Sequence, residues 1–377
     1  MNMKILFAGG GTAGHINPAL AVAGYVRQQK PQDEILFVGS RGGMEERLVP
    51  QAGFDFCTIT VSGFIRKLNL HGIRHNLMAV RRIFTATAEA KRILQRFAPD
   101  ICVGTGGYVS GPVLRKAAKM GIPIIIHEQN AFPGVTTKML SKLARKVMLA
   151  VPDAESKLEE SVRPKVVVTG NPVRTEVIFA QRDAARRELG LDNRPVILSF
   201  GGSLGAENIN RAMAEVIVRG AADNRYQHIH AYGQYGKWFP DLLREKGVDP
   251  KQHKNLDIRE YIQDMPRCLA AADLVICRSG AITLSELQVQ GKPSILIPSP
   301  NVAENHQYYN ALALVNRGAA KMIEEKDLTG ELLFQTTAEM LSDPQKLKEF
   351  GRNAQKMAIA DANERIYELI RQTVSHA

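Results

Sequence analysis

Three glycine-rich segments follow short apolar runs. They are Gly9-Gly10-Gly11-Thr12-Ala13-Gly14, Gly104-Thr105-Gly106-Gly107-Tyr108 and Gly201-Gly202-Ser203-Leu204-Gly205-Ala206. Glycine in such turns allows positive φ and close approach of a ligand to the backbone. A following helix offers unpaired N–H groups and a positive dipole end to an anion. His15 comes directly after the first turn, where an imidazole can accept a proton at neutral pH. His127-Glu128-Gln129-Asn130 closes the apolar run Ile122–Ile126, and four polar residues at a strand end suit a ligand better than a core. Arg174, in Gly170-Asn171-Pro172-Val173-Arg174, can clamp phosphate oxygens through paired hydrogen bonds. In Cys277–Glu286 a strand stops and Ser279-Gly280 opens a helix about two turns ahead of Glu286. A carboxylate there can accept both hydroxyls of a ribose while the helix start faces phosphates. Ala303-Glu304-Asn305-His306-Gln307 adds amide and imidazole groups suited to sugar hydroxyls. No Asp-x-Asp pair occurs, so a diphosphate would be neutralised by helix N-termini, hydroxyls and Arg174 rather than through a metal ion. Each segment also has a plain structural reading as a turn, a helix cap or a solvated loop.

These residues need a scaffold that presents strand ends side by side. Mostly continuous apolar runs are expected as strands at Lys4–Ala8, Ile35–Val38, Ile101–Gly104, Ile124–His127, Val147–Leu149 and Val166–Thr169. A second set is expected at Val196–Phe200, Ile229–Tyr232, Leu256–Arg259, Leu274–Cys277, Ser294–Ile297 and Ala320–Ile323. Continuous apolarity suits parallel strands covered on both faces, and the intervals are long enough for crossover helices, so the class is α/β. Twelve strands overfill one doubly wound sheet. A break is expected between Gly170 and Arg194, with a second sheet from Pro195 and one closing helix over Gln355–Thr373. The first and third glycine turns repeat the same strand–turn–helix pattern, as two similar domains would.

Composition narrows the classes. With 377 residues, 45% hydrophobic and 23% charged, the chain is neither disordered nor a small disulfide scaffold. No uncharged apolar stretch is long enough to span a bilayer. The N-terminus runs straight into a strand and lacks the zones of a signal peptide. Cys57, Cys102, Cys268 and Cys277 are far apart and flanked by apolar residues, which reads as reduced core thiols in a cytoplasmic protein without a zinc site. The net charge of +11 favours an anionic partner without choosing one. Aromatics at 6% with a single Trp leave little for base stacking. From Phe64 to Phe84, apolar Leu70, Ile73, Leu77, Val80 and Phe84 recur at helical spacing beside Arg66, Lys67, Arg74, Arg81 and Arg82. Such a helix either rests on an anionic membrane surface or packs its stripe into a core.

Taken in order, the segments resemble the MurG family, the UDP-N-acetylglucosamine–N-acetylmuramyl-(pentapeptide) pyrophosphoryl-undecaprenol N-acetylglucosamine transferases of bacterial peptidoglycan synthesis. The resemblance runs through Gly9–Leu20, Gly106–Pro112, His127–Asn130, Gly170–Arg174, Gly201–Ala206, Arg278–Glu286 and Gln307–Ala311. It implies a GT-B fold, two Rossmann-like doubly wound parallel-sheet domains facing a cleft. Residues 1–170 would form an acceptor and membrane-facing domain, 171–350 a UDP-GlcNAc-binding domain, and 351–377 a helix packing back on the first. It implies inverting transfer of GlcNAc from UDP-GlcNAc to the undecaprenyl-linked muramyl-pentapeptide, lipid I, at the cytoplasmic face of the inner membrane, without cofactor, metal or nucleic acid.

By position the donor contacts would be Thr12, Ala13, Gly14, Asn130, Arg174, Ser203, Ile262, Ala281, Ile282, Thr283, Leu284, Ser285, Glu286 and Gln307. Ile262 would meet the uracil through its backbone and Glu286 the ribose. Gly106, Gly107 and Tyr108 would touch the acceptor. A hydroxyl of the acceptor would displace UDP directly, with His15 as general base and Glu128 as second choice. Three alternatives remain at this point. One is an NADP-dependent oxidoreductase using Gly9–Gly14 and Arg41, one a non-catalytic RNA- or membrane-binding protein, and one another UDP-sugar enzyme such as an epimerase.

Overall fold

The computed structural model describes residues 2–61 and 85–375. The basic segment around Phe64–Phe84 lies outside the described residues. Within them the chain forms two compact units, Met1–Val173 with Ala360–Ala377, and Arg174–Ile359.

The first unit carries β1 (Lys4–Gly9), α1 (Ala13–Gln29), β2 (Glu34–Ser40), α2 (Glu45–Gln51), β3 (Asp55–Ile59) and a helical stretch α3 over 85–97. It continues with β4 (Ile101–Gly106), α4 (Ser110–Lys119), β5 (Ile124–Glu128), α5 (Val135–Ser141), β6 (Lys146–Leu149) and β7 (Val166–Val168). The strands are parallel in the order β3-β2-β1-β4-β5-β6-β7. The apolar runs are continuous because both faces are covered. Leu6 and Ala8 of β1 join one core with Ala86, Ala90 and Leu94 of α3 and Val113, Leu114 and Ala117 of α4. Ile5 and Phe7 point the other way, into a core with Ile16, Ala19, Val22 and Val26 of α1. Period-2 alternation thus divides one apolar run between two cores.

The second unit carries α6 (Thr175–Phe179), α7 (Arg182–Glu188), β8 (Val196–Phe200), α8 (Glu207–Asp223), β9 (Gln227–Ala231), α9 (Phe239–Glu245), β10 (Leu256–Arg259) and α10 (Met265–Ala271). It continues with β11 (Leu274–Cys277), α11 (Ala281–Val289), β12 (Ser294–Leu296), α12 (His306–Val315), β13 (Ala320–Met322), α13 (Gly330–Ser342) and α14 (Pro344–Lys356). Its sheet is parallel in the order β10-β9-β8-β11-β12-β13. α15 (Ala362–Ser375) returns to the first unit, where Ile366, Tyr367 and Ile370 enter the core of α1 and Tyr25 meets Tyr367 edge-on at 5.9 Å.

Two expectations are corrected. β3 was not anticipated, because an edge strand reading Asp55-Phe56-Cys57-Thr58-Ile59 is only half buried and its apolar run is broken. The single helix over Gln355–Thr373 is two helices, α14 and α15, separated at 357–361. Ile359 lies in the link, whereas Ile366 and Ile370 belong to the buried face of α15.

In each sheet the strand order reverses once, between β1 and β4 and between β8 and β11. Open α/β sheets bind ligands outside the carboxyl ends of the strands at such a point. The first and second glycine segments end β1 and β4. The third ends β8, and Arg278-Ser279-Gly280 ends β11.

Candidate functional site

At the first switch point, Thr12 caps α1 in extended conformation. The surfaces of Thr12, Ala13 and Gly14 are open to solvent, and His15 behind them is half-buried. His15 N and Ile16 N already donate to Thr12 O (3.0 and 3.2 Å), so within the first helical turn it is the amides of Ala13 and Gly14 that face outward without an intrahelical acceptor. The glycine turn itself is already engaged. Glu45, at 0% exposure, lies under it and accepts from Gly11 N (3.1 Å), Ser40 N (2.7 Å) and Ser40 Oγ (2.5 Å). Burial raises the Glu45 carboxyl, but the donors of Ser40, its own amide and Gly11 outweigh burial and leave it below its usual value. The Gly11 amide is therefore spent on Glu45 and is not offered to an anion. A dinucleotide pyrophosphate seated there would meet a buried carboxylate, which removes the basis of the oxidoreductase alternative. Spacing did not single out Glu45, which stands five residues beyond Ser40, the last residue of β2.

The segment after β4 supports His15. Thr105 Oγ1 donates to His15 O (2.8 Å), and Ser110 Oγ lies within hydrogen-bond distance of both Ala8 O (2.7 Å) and Gly106 O (2.8 Å), tying β1 and β4 at their ends. Gly106 has φ +103°, and a Cβ there would lie 2.7 Å from His15 Nδ1, so only glycine leaves room for the ring. Gly107 continues the turn, and Tyr108 is 56% exposed beside it. This turn and His15 are brought together at the first switch point.

The end of β5 is more occupied than its sequence suggested. Glu128 is buried and accepts from Asn130 N (3.1 Å), Asn130 Nδ2 (3.0 Å), Gly134 N (3.0 Å) and Thr137 Oγ1 (2.6 Å). Four donors spread over both oxygens make it the anchor of the 130–137 segment. That argues against its second-choice role as a base and fixes Asn130 in place. Gln129 and His127 are buried too. Gln129 Oε1 lies 3.3 Å from His15 Nδ1 and its Nε2 3.1 Å from His127 Nδ1, while His127 Nε2 lies 2.9 Å from Gly170 O. Burial pushes the His127 imidazole below its ordinary value, against smaller opposing contributions from Gly170 and Glu128, so the ring is neutral.

At the second switch point Ser203 is exposed in the Gly201–Ala206 turn before α8. Gly280 caps α11 in extended conformation, and Ala281, Ile282 and Thr283 form its first turn, half-buried. Leu284 is buried, and Ser285 Oγ donates to Ala281 O (3.2 Å). Glu286 is the sixth residue of α11 and 7% exposed. Arg174 donates to its Oε1 from Nε (3.1 Å) and Nη2 (2.9 Å). Burial raises the Glu286 carboxyl, and Arg174 pulls in the opposite direction without cancelling it. The residue expected as a phosphate clamp and the one expected as a ribose carboxylate thus hold each other. Ile262 is buried just beyond β10. Gln307 accepts at Oε1 from Ser299 N (2.9 Å), and His306 Nδ1 lies 2.8 Å from Ala303 O, so the start of α12 is pinned to the end of β12. Among the described residues no group of three or more His, Cys, Asp or Glu is placed to hold a metal ion.

The first unit matches the glycosyltransferase family 28 N-terminal domain over residues 5–149, and residues 196–366 match the family 28 C-terminal domain. A UDP-N-acetylglucosamine–N-acetylmuramyl-(pentapeptide) pyrophosphoryl-undecaprenol N-acetylglucosamine transferase from Acetivibrio thermocellus is 45% identical over 99% of this chain and 99% of its own. A relative of the same name from a Thermoanaerobacter species is 45% identical over 98% of this chain and 99% of its own. The crystal structure of MurG from Acinetobacter baumannii superposes with a TM-score of 0.76 at 30% identity, covering 98% of this chain and 99% of that one. Near-complete coverage of both partners, on a fold whose two switch points carry the expected side chains, leaves one conclusion: this chain belongs to glycosyltransferase family 28, among the UDP-N-acetylglucosamine–N-acetylmuramyl-(pentapeptide) pyrophosphoryl-undecaprenol N-acetylglucosamine transferases.

Proposed function

We propose that the protein transfers GlcNAc from UDP-GlcNAc to lipid I with inversion at the anomeric carbon, giving lipid II and UDP. The observation that carries this reading is the pairing of near-full-length relatives of that activity with a buried Glu286 on the helix that opens at the switch point of the second sheet. On this reading the second unit holds the donor. The ribose hydroxyls displace Arg174 from Glu286, which frees the guanidinium for the diphosphate. Ser203 and the amides at the starts of α8 and α11 complete the neutralisation of the departing UDP. Backbone at Ile262 meets the uracil, Thr283 lies at the helix start, and Gln307 serves a sugar hydroxyl. The first unit supplies His15 as the general base, together with the acceptor contacts of Gly106, Gly107 and Tyr108. Thr12, Ala13, Gly14 and Asn130 complete the transferred sugar's surroundings. A positioned base contributes about 10²–10⁴-fold, and orientation of the two substrates supplies much of the rest.

A lipid-linked acceptor calls for contact with a membrane surface. No helix among the described residues is long and apolar enough to cross a membrane. α5 and the turn after it expose Val135 (64%), Met139 (52%) and Leu143 (47%) at four-residue spacing, with Lys138, Lys142 and Arg145 alongside. An apolar stripe edged by cations suits an anionic lipid surface, and the net charge of +11 is compatible with such a partner.

The test is direct. Purified protein is given radiolabelled UDP-GlcNAc and a lipid I analogue, with and without chelator, and product is scored for the β-linked disaccharide. The expected result is chelator-insensitive product formation, with kcat at least a hundredfold lower in His15→Asn. Absence of product with a competent acceptor overturns the transferase reading. Near-normal turnover in His15→Asn overturns only the base assignment.

A further inference from the structure

The hydrogen bonds behind His15 fix more than the position of its ring. Gln129 is 2% exposed, and its Nε2 lies 2.9 Å from Thr105 O, 3.1 Å from His127 O and 3.1 Å from His127 Nδ1. Carbonyl oxygens only accept hydrogen bonds, so the amide nitrogen belongs on this side. An amide oxygen placed there would face two other oxygens. The Gln129 oxygen is therefore the atom turned toward His15 Nδ1, at 3.3 Å. That oxygen also only accepts, so the hydrogen between them sits on His15 Nδ1. At the far end, His127 Nε2 lies 2.9 Å from Gly170 O and must carry its hydrogen there. A buried neutral His127 then has a lone pair at Nδ1 to receive the Gln129 N–H. Asn171 Nδ2 donates to Gln129 O (3.2 Å) and holds the same residue from behind. Every link in the series has one polarity, and reversing any one of them sets an acceptor against an acceptor or a donor against a donor.

We propose that Gln129 is a positioning residue that locks His15 in its Nδ1–H tautomer and so reserves the Nε2 lone pair for the acceptor hydroxyl. The inference deepens the assignment of His15 as base and rests on it. Which imidazole nitrogen carries the proton is set by the bond the other nitrogen makes. In hydrolytic triads a carboxylate or an amide performs this task, and an amide of wrong polarity there costs activity by imposing the wrong tautomer. An amide free to turn offers its NH2 as readily as its oxygen. Thr105 and His127 remove that freedom, which gives the buried, neutral His127 a purpose two residues before Gln129. Gly106 completes the arrangement by leaving the Nδ1 side of the ring unobstructed.

The experiment uses the full chain labelled with [15N]histidine and long-range proton–nitrogen correlation, with His15 signals identified by their loss in His15→Asn. The expected result for the unsubstituted protein is a protonated Nδ1 and an unprotonated Nε2 at His15. A predominantly Nε2-protonated ring overturns the proposal, whatever His15→Asn does to turnover. In Gln129→Met the ring should move toward the Nε2–H form. Then kcat should fall about tenfold or more, while KM for UDP-GlcNAc changes less than about threefold. A changed tautomer with unchanged kcat overturns the proposal as well. Near-normal turnover in His15→Asn instead removes the base assignment while leaving the tautomer result to stand for Gln129 itself.

Discussion

The second unit should be destabilised by mild acid through two buried imidazoles of β9. His228 and His230 are 1% and 0% exposed. His228 is lowered by burial from 6.5 to about 4, and His230 by burial and its neighbour to about 3. Ser199 Oγ stands 2.8 Å from His230 Nδ1, and neither nitrogen of His228 has a hydrogen-bond partner among the described residues. Both folded-state values lie below that of the unfolded chain, so the unfolded chain binds more protons in mild acid. Stability then falls as pH drops below about 6.5 and levels off only near the folded values. At pH 5.0, each ring trapped neutral costs about 2 kcal/mol relative to pH 7.5, and the pair about 4 kcal/mol. The assay is built into the unit. Trp238 is the sole tryptophan, and its ring meets Phe239 at 6.1 Å, which in turn lies 4.4 Å from His230. Urea unfolding followed by tryptophan fluorescence at pH 7.5 and 5.0 should therefore report this unit. The reference is His228→Leu with His230→Asn, which removes both titrations and keeps a polar partner for Ser199. The unsubstituted protein should lose about 4 kcal/mol more than the reference between the two pH values. Losses equal to within about 1 kcal/mol would refute the reasoning.

Three further outcomes are expected. Arg174→Ala and Glu286→Ala should each raise the Kd for UDP at least about tenfold in calorimetry, because each removes charge-assisted hydrogen bonds. Unchanged affinity in both would separate this pair from the nucleotide. Glu45→Gln should weaken the first glycine turn by about 1–3 kcal/mol at pH 7, read as faster hydrogen exchange at Gly11–Ile16. Since the Glu45 carboxyl is held below its value of 4.5, the difference from the unsubstituted protein should vanish as pH falls through the folded-state value. Binding to anionic vesicles should weaken with salt and on changing Val135 and Met139 to Asp, and equally on changing Arg66, Lys67, Arg81 and Arg82 to Glu. Binding indifferent to both sets would place the membrane contact elsewhere.

Much of the scaffold was legible because a parallel sheet covered on both faces writes itself as unbroken apolar runs. Val196–Phe200, Leu256–Arg259 and Leu274–Cys277 match their strands end to end. β3 was not legible, since an edge strand needs one apolar face at most. The glycine turns located both switch points, because backbone that must curl at a strand end restricts residue type. What spacing alone did not reveal was how polar groups spend their hydrogen bonds. Glu128 reads as a free carboxylate in His127-Glu128-Gln129-Asn130, yet its four donors come from residues up to nine positions ahead. Glu45 and Gly11 meet across 34 residues, and Gln129 and His15 across 114. The Arg174–Glu286 pair spans 112 residues. Such partnerships are set by which strands become neighbours, a property of the assembled sheet.

The return of α15 to the first unit bears on the order in which the molecule is made. Ile366, Tyr367 and Ile370 seal the apolar side of α1, yet they leave the ribosome after all of the intervening unit. A nascent chain can therefore finish its second half while the first still exposes a greasy helix flank awaiting its cover. That interval, tens of seconds at elongation rates of about 5–20 residues per second, is when chaperones have most to hold. Synthesis that ended before Ile366 would leave a product whose second unit is complete and whose first is unsealed.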